Sequence, residues 1–226
     1  MLLEPGIGVA VHLSDLQLTP DTFNHILPLF PKGHTLNSTE ELEVYHGEDQ
    51  RIGIMFGGPG GSLKLDGRLI SEMENREAES AAASLVEYIC QECAETLKKL
   101  WIHDVMEQGG YAFVDPSRFK ALTKLVIIGG GEAVFDRVCG VLSPRSQDVP
   151  DVPDVPSPKL RRLVMAGIAD EPQLARLITL CKMRSNAGSN LFEVLVSYTH
   201  PSYPPEWMTR ACKLGSPASP GLWVVL

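Results

Sequence analysis

The chain has 226 residues, of which 44% are hydrophobic and 21% charged, the balance of an ordinary globular protein of one large domain or two small ones. Its net charge of −8 is unevenly spread: residues 1–158 hold 12 Lys and Arg against 24 Asp and Glu, and residues 159–226 hold 8 against 4. The acidic body argues against phosphate-driven nucleic-acid binding, and no apolar run approaches the ~20 residues a membrane-spanning helix requires.

The first segment, "MLLEPGIGVAVHLSDLQL", carries no basic leader and meets Glu4 and Pro5 at once, so a cytoplasmic location is expected. "GIGVAVHL", "ELEVYHG", "RIGIMF" and "SLKLDGRLI" alternate in the manner of strands, with Leu42 and Val44 sharing one face and Ile52, Ile54 and Phe56 another. They predict a mostly antiparallel sheet of adjacent hairpins, with Asp66-Gly67 as a turn. Between the first two, "TPDTFNHILPLF" predicts one short helix, capped by Thr19 with Pro20 at its first position.

From Ser71 to about Val105 there is neither Pro nor Gly, and Val86, Ile89, Cys93, Leu97 and Leu100 fall at helical spacing. The expectation is one long helix packed on the sheet. In "DPSRFKALTKLVIIGGGEAVFDRV", Asp115 and Pro116 start a second helix with Phe119, Leu122, Leu125 and Val126 on its face, and the glycines stop it. Glu132 then opens a third, with Ala133, Val134, Val138 and Leu142 apolar.

"SPRSQDVPDVPDVPSPK" repeats Asp-Val-Pro three times, and each Pro removes a donor and restricts its predecessor. Residues 143–158 are therefore read as a strap between an α+β main domain, 1–142, and a helical C-terminal region, 159–226, that docks on the main domain or on a neighbouring subunit. In that region "LRRLVMAG" is a short helix or strand, and Asp170 and Pro172 begin a helix with Leu174, Leu177, Ile178 and Cys181 on its face. A further short helix is expected around Glu206 to Lys213, and "SPGLWVVL" ends the chain as an apolar arm expected to dock as a strand or strap. The fold class expected is α+β, with a helical C-terminal half. The alternative is a doubly wound α/β domain.

Five Cys, an odd and scattered number, are expected to be reduced thiols. Cys90 and Cys93 form a C-x-x-C inside a helical pattern, and no second ligand pair completes a metal set, so neither metal nor redox cofactor is expected.

Two glycine clusters invite a phosphate-binding reading: Gly57, Gly58, Gly60 and Gly61, and Gly129, Gly130 and Gly131. The second fails the dinucleotide fingerprint because Val134 stands where the third glycine belongs, and the first lacks the Gly-Lys-Ser/Thr ending of a P-loop. "LVIIGGGEAVFDRV" resembles the adenosine loop of actin-like ATPases, and "IGIMFGGPGGSLKLDG" is similar to their second phosphate loop. The resemblance covers about thirty residues and implies nucleotide binding. Met55 stands where that family has its metal-positioning Asp, so no catalytic residue carries over. On their own terms the first cluster suits a hairpin turn and the second a joint between two helices.

No complete catalytic set is present, which points away from an enzyme. The function expected is a non-enzymatic interaction or assembly protein that associates with itself or with another protein. Its interaction residues would be Tyr198, Tyr203, Trp207 and Trp223 in the aromatic tail, with Arg161 and Arg162 as a basic patch.

Overall fold

The computed structural model describes residues 9–18, 25, 38–46, 51–59, 61–69, 75–104, 114–129, 131–144, 154–166, 171–197 and 221–225. The strands are β1 (Val9–Leu18), β2 (Glu41–His46), β3 (Arg51–Gly58), β4 (Gly61–Leu69), β5 (Lys99–Asp104), β6 (Lys124–Gly129), β7 (Arg162–Ala166), β8 (Glu193–Ser197) and β9 (Gly221–Val225). The helices are α1 (Asn75–Glu92), α2 (Gly131–Leu142) and α3 (Glu171–Asn186), and Pro116–Arg118 makes a 3-10 turn. All nine strands join one mixed sheet in the order β1-β4-β3-β2-β5-β6-β7-β8-β9.

Two hairpins join β2, β3 and β4 in antiparallel pairs, as the alternation of Leu42, Val44, Ile52, Ile54 and Phe56 predicts. Beyond them, β2, β5, β6, β7, β8 and β9 run parallel, each beside the next. The junctions repeat. Glu40 O accepts from the amides of Lys98 and Lys99, Lys98 O from Thr123 and Lys124, Thr123 O from Arg161 and Arg162, and Arg161 O from Phe192 and Glu193, all at 2.8–3.1 Å. The sequence repeats with them in a frame of three apolar positions: Leu97-x-x-Leu100-x-Ile102, Leu122-x-x-Leu125-x-Ile127, Leu160-x-x-Leu163-x-Met165 and Leu191-x-x-Val194-x-Val196. The first two positions of every frame are 0–4% exposed. One turn before the strand and alternate positions within it thus fill the same layer.

That layer is the core. Leu42, Ile54, Leu100, Leu125 and Leu163 share a single cluster with Ile89 and Cys93 near the end of α1, Val138 and Leu142 of α2, and Leu177 and Leu180 of α3. The three helices therefore cover one face of the sheet, and α2 and α3 also touch each other. A doubly wound domain would have helices on both faces; none of the described helices lies on the other.

Several expectations need correction. The long helix ends at Glu92, and Leu97 and Leu100 belong to the following turn and to β5, whose ladder with β2 supplies the hydrogen bonds a continued helix would have supplied. Asp115 does cap, accepting from Ser117 N at 2.9 Å, and Pro116 does lead, but they start only the 3-10 turn. Leu125 and Val126 then lie in β6. The β-branched run Val126-Ile127-Ile128 favours that strand over a helix. Asp66-Gly67 sits within β4, with Gly67 opposite Ile52, and makes no turn. β1 pairs with β4 in parallel, outside any hairpin.

The C-terminal half is accordingly less helical than expected, since β6, β7, β8 and β9 all lie in it, and "LRRLVMAG" contributes β7. The 1–142 and 159–226 regions share one sheet through the β6–β7 pairing. The terminal arm docks on its own body as β9, beside β8. Apart from helical His25, the expected helix around residues 19–30 lies outside the described residues, as do the helix near 206–213 and residues 145–153 of the strap.

Candidate functional site

The alternation that buries one side of each strand leaves the other side facing away from the helices. One row of register runs across every strand of the sheet: His12, Lys64, Met55, Glu43, Trp101, Val126, Val164, Leu195 and the backbone of Trp223. A second row, one pleat on, runs Asp66, Gly53, Tyr45, His103, Ile128 and Ala166. This face remains accessible. Met55 is 36% and Ile128 38% exposed and Trp101, Val164 and Leu195 are half-buried, whereas Val126 at the centre of the first row is buried.

The face is divided chemically. Over β5 to β8 it is mainly apolar, carrying Trp101, Val126, Ile128, Val164 and Leu195, and is edged at the strand starts by charges that are already compensated. Lys99 pairs with Glu41, Arg162 Nη2 donates to Glu193 Oε1 at 2.9 Å, and Lys124 Nζ lies 5.1 Å over the Trp101 ring. In the middle, His103 Nε2 lies 3.3 Å from Glu43 Oε1, and its ring is tilted against Tyr45 at 6.3 Å between centroids. Over β3 and β4 the face is charged and hollowed. A depression of about 300 Å³ opens above Gly53, walled by Tyr45, Met55, Arg51, Lys64, Asp66 and Glu43.

The glycine clusters stand apart from this face's centre and from each other. Gly57, Gly58 and Gly61 form the β3–β4 turn expected of them, Gly61 with φ 131°. The second cluster joins a strand to a helix, where two helices were expected: Gly129 ends β6 with φ 80° and Gly131 begins α2. Gly57 is level with Glu41, Lys99 and Lys124 at the strand starts, whereas Gly129 is level with Asp104 and His46 at the strand ends. Five residues along and three strands across place the clusters roughly 20 Å apart. They do not converge on one phosphate. Gly60 and Gly130 lie outside the described residues.

Of the expected interaction residues, Tyr198, Tyr203 and Trp207 also lie outside the described residues. Arg161 donates to the carbonyls of Pro158, Leu160 and Asn190 and stacks 5.3 Å from the centre of the Phe192 ring, so it is spent on its own chain, as Arg162 is on Glu193. Sequence reasoning missed Trp101, Tyr45, Ile128 and the Gly53 depression. Trp101 was hidden inside a segment read as helix.

The thiols are buried. Cys90, Cys93 and Cys139 are at most 8% exposed, and desolvation pushes Cys93 and Cys139 up to about 12 and half-buried Cys181 to about 11. Among the described residues no group of three or more His, Cys, Asp or Glu could hold a metal ion, and no helix is long and apolar enough to cross a membrane. No family model matches the chain, and searches of curated proteins and of solved structures return no match.

Proposed function

We propose that the chain is a solenoid of the leucine-rich-repeat kind, interrupted by the β2–β4 hairpins, and that its helix-free sheet face is a docking surface for a protein partner. The frame Leu-x-x-Leu-x-apolar, with a strand and a helix or 3-10 turn in each repeat, supports the first part. The second part rests on one observation. A single register row carries Met55, Trp101, Val164 and Leu195 on four strands of a partly accessible face, with buried Val126 between Trp101 and Val164 and exposed Ile128 beside it. Aromatic, Met and Arg side chains with depleted uncompensated charge are the composition of interface cores. The glycine clusters have no part in this reading, since they sit at opposite ends of the strands.

The test is photo-crosslinking in cells with p-benzoylphenylalanine placed at Ile128 or, as controls on the helix side, at exposed Ala133 or Ala175. The expected result is a discrete adduct from position 128 and none from 133 or 175. An adduct at a multiple of the chain mass would identify the partner as a second copy. Equal adducts from all three positions, or none from 128, would overturn the reading.

A further inference from the structure

An open sheet ends in two edges, and the two edges of this sheet are unlike. Among the described residues β1 pairs only with β4 and β9 only with β8, so each presents a row of amides and carbonyls to a further strand. The β1 edge is guarded. Its register slips between Leu13 and Leu16, Asp15 takes a left-handed φ of 55°, and the strand carries His12 and Asp15. A bulge and charged residues are the means by which proteins keep an edge from pairing.

The β9 edge has neither. Gly221–Val225 meets Glu193–Ser197 in five successive rungs without a slip, and Gly-Leu-Trp-Val-Val contains no charge and no Pro. Trp223, Val224 and Val225 belong to the residue types that favour extended backbone. The strand behind this edge adds no repulsion, because the one charged residue of β8, Glu193, is held by Arg162. Phe192 comes immediately before β8, one strand in from the edge. At 60% exposure it is the most exposed large hydrophobic among the described residues.

We propose that β9 is an assembly edge, on which a second copy of this chain adds its own β9 antiparallel. A two-fold axis normal to the sheet sets the two strands antiparallel, keeps the helices of both copies on one side and closes at a dimer. Like pairs with like here at no electrostatic cost, since no charge lies in either strand. Pairing β9 of one copy with β1 of the next would instead build an open array, but the β1 bulge interrupts the row that such pairing needs. The edge and the open sheet face are separate surfaces, so this inference does not depend on the docking reading.

The experiment is sedimentation velocity of the full chain over a dilution series, alongside Ile128→Asp, Trp223→Pro and Val224→Pro. Successive amides of a strand point to opposite sides, so one proline removes a rung of the β8 ladder and the other an amide of the free edge. The wild type should pass from monomer to dimer and no further as it is concentrated, and Ile128→Asp should do the same. One proline variant should stay monomeric while keeping the wild-type melting temperature, measured at a dilution where both are monomeric. Trp223→Cys and His12→Cys, oxidised with copper phenanthroline, supply a geometric readout that decides the matter if both prolines lower the melting temperature. Position 223 should crosslink two copies and position 12 should not. A wild type that remains monomeric, arrays longer than a dimer, or a dimer without the crosslink at 223 would overturn the proposal. A dimer that Ile128→Asp dissociates and both prolines leave intact would overturn it too, and would make the open sheet face the contact between copies.

Discussion

The guanidinium of Arg184 donates to the carbonyl oxygen of Pro156 at 2.8 Å from a position with no solvent exposure. The same group donates to Leu142 O at 3.1 Å, and to Ser157 O and Ser189 Oγ at 2.9 Å. One side chain thus ties the end of α2, the end of the proline strap and the approach to β8. Its partners include no carboxylate. Carbonyl dipoles, among them the negative C-terminal end of α2, carry the compensation instead. Burial pulls the guanidinium down to about 10, which leaves it charged at neutral pH.

Arg184→Met should destabilise the fold by about 3 kcal/mol, because it removes a buried donor set from four acceptors and leaves the Leu142 and Pro156 carbonyls without that donor, while Ser157 O keeps Leu160 N and Ser189 Oγ keeps Pro158 O. Arg184→Lys should recover only part of this, since an ammonium on a flexible stem cannot reproduce a planar fork. Urea unfolding monitored by far-UV circular dichroism measures both. A loss below about 1 kcal/mol for Arg184→Met would show that the strap is held by other contacts.

Two glycines of β3 should respond oppositely to the same change. A Cβ at Gly58 would lie 2.2 Å from Ser38 O, a clash with backbone, whereas one at Gly53 meets only ordinary contacts at 3.5 Å and beyond. Gly58→Ala should therefore cost about 2 kcal/mol and Gly53→Ala less than about 0.5. Thermal melts of the two variants, side by side, check the difference.

The hairpins β2–β3–β4 were legible because their apolar residues alternate over short, local pairings, and the helix at Glu171–Asn186 because its Asp170–Pro172 start and its apolar spacing are local too. The parallel strands were not. Leu97 and Leu100 are three apart, a spacing shared by a helix stripe and by the repeated frame, and the Cys93 spacing before them tipped the reading toward helix. The frame's first leucines, 97, 122, 160 and 191, recur at unequal intervals, the longest of them holding the strap before Leu160, which hides the repeat from any fixed-period search. The open face was less legible still. The hollow above Gly53 needs residues 45, 53 and 66 in register, and nothing local in the sequence sets that register.

Buried thiols make the stability depend on alkaline pH. The neutral form is favoured in the folded state, so Cys93 and Cys139 are raised from about 9 to about 12 and Cys181 to about 11. Below pH 9 the contribution is fully present. As pH rises from 9 toward 12 the unfolded chain releases protons that the folded chain retains, and stability falls. Urea midpoints should therefore hold steady from pH 7 to 8.5 and decline above 9. Alkylation by iodoacetamide at pH 8, followed by peptide mass mapping, should label Cys181 before Cys93 or Cys139. Fast labelling of Cys93 would contradict its burial.

The two sides of β6 give the sharpest test of the architecture, because a helix and a strand assign its residues differently. In a helix Leu125 and Ile128, three apart, would share a face; in β6 they point to opposite sides, Leu125 at 0% exposure into the core and Ile128 at 38% onto the open face. Leu125→Ala should cost 2–5 kcal/mol, the range for truncating a buried leucine. Ile128→Ala should cost less, about 1 kcal/mol, because over a third of its side chain stays in water and the truncation leaves no enclosed cavity. The partner prediction runs the other way: Ile128→Ala should weaken docking on the sheet face, while Leu125→Ala should weaken it only in proportion to the population unfolded. Equal stability losses from the two truncations would place both residues on one buried face and would rule out the parallel ladder from β5 to β7.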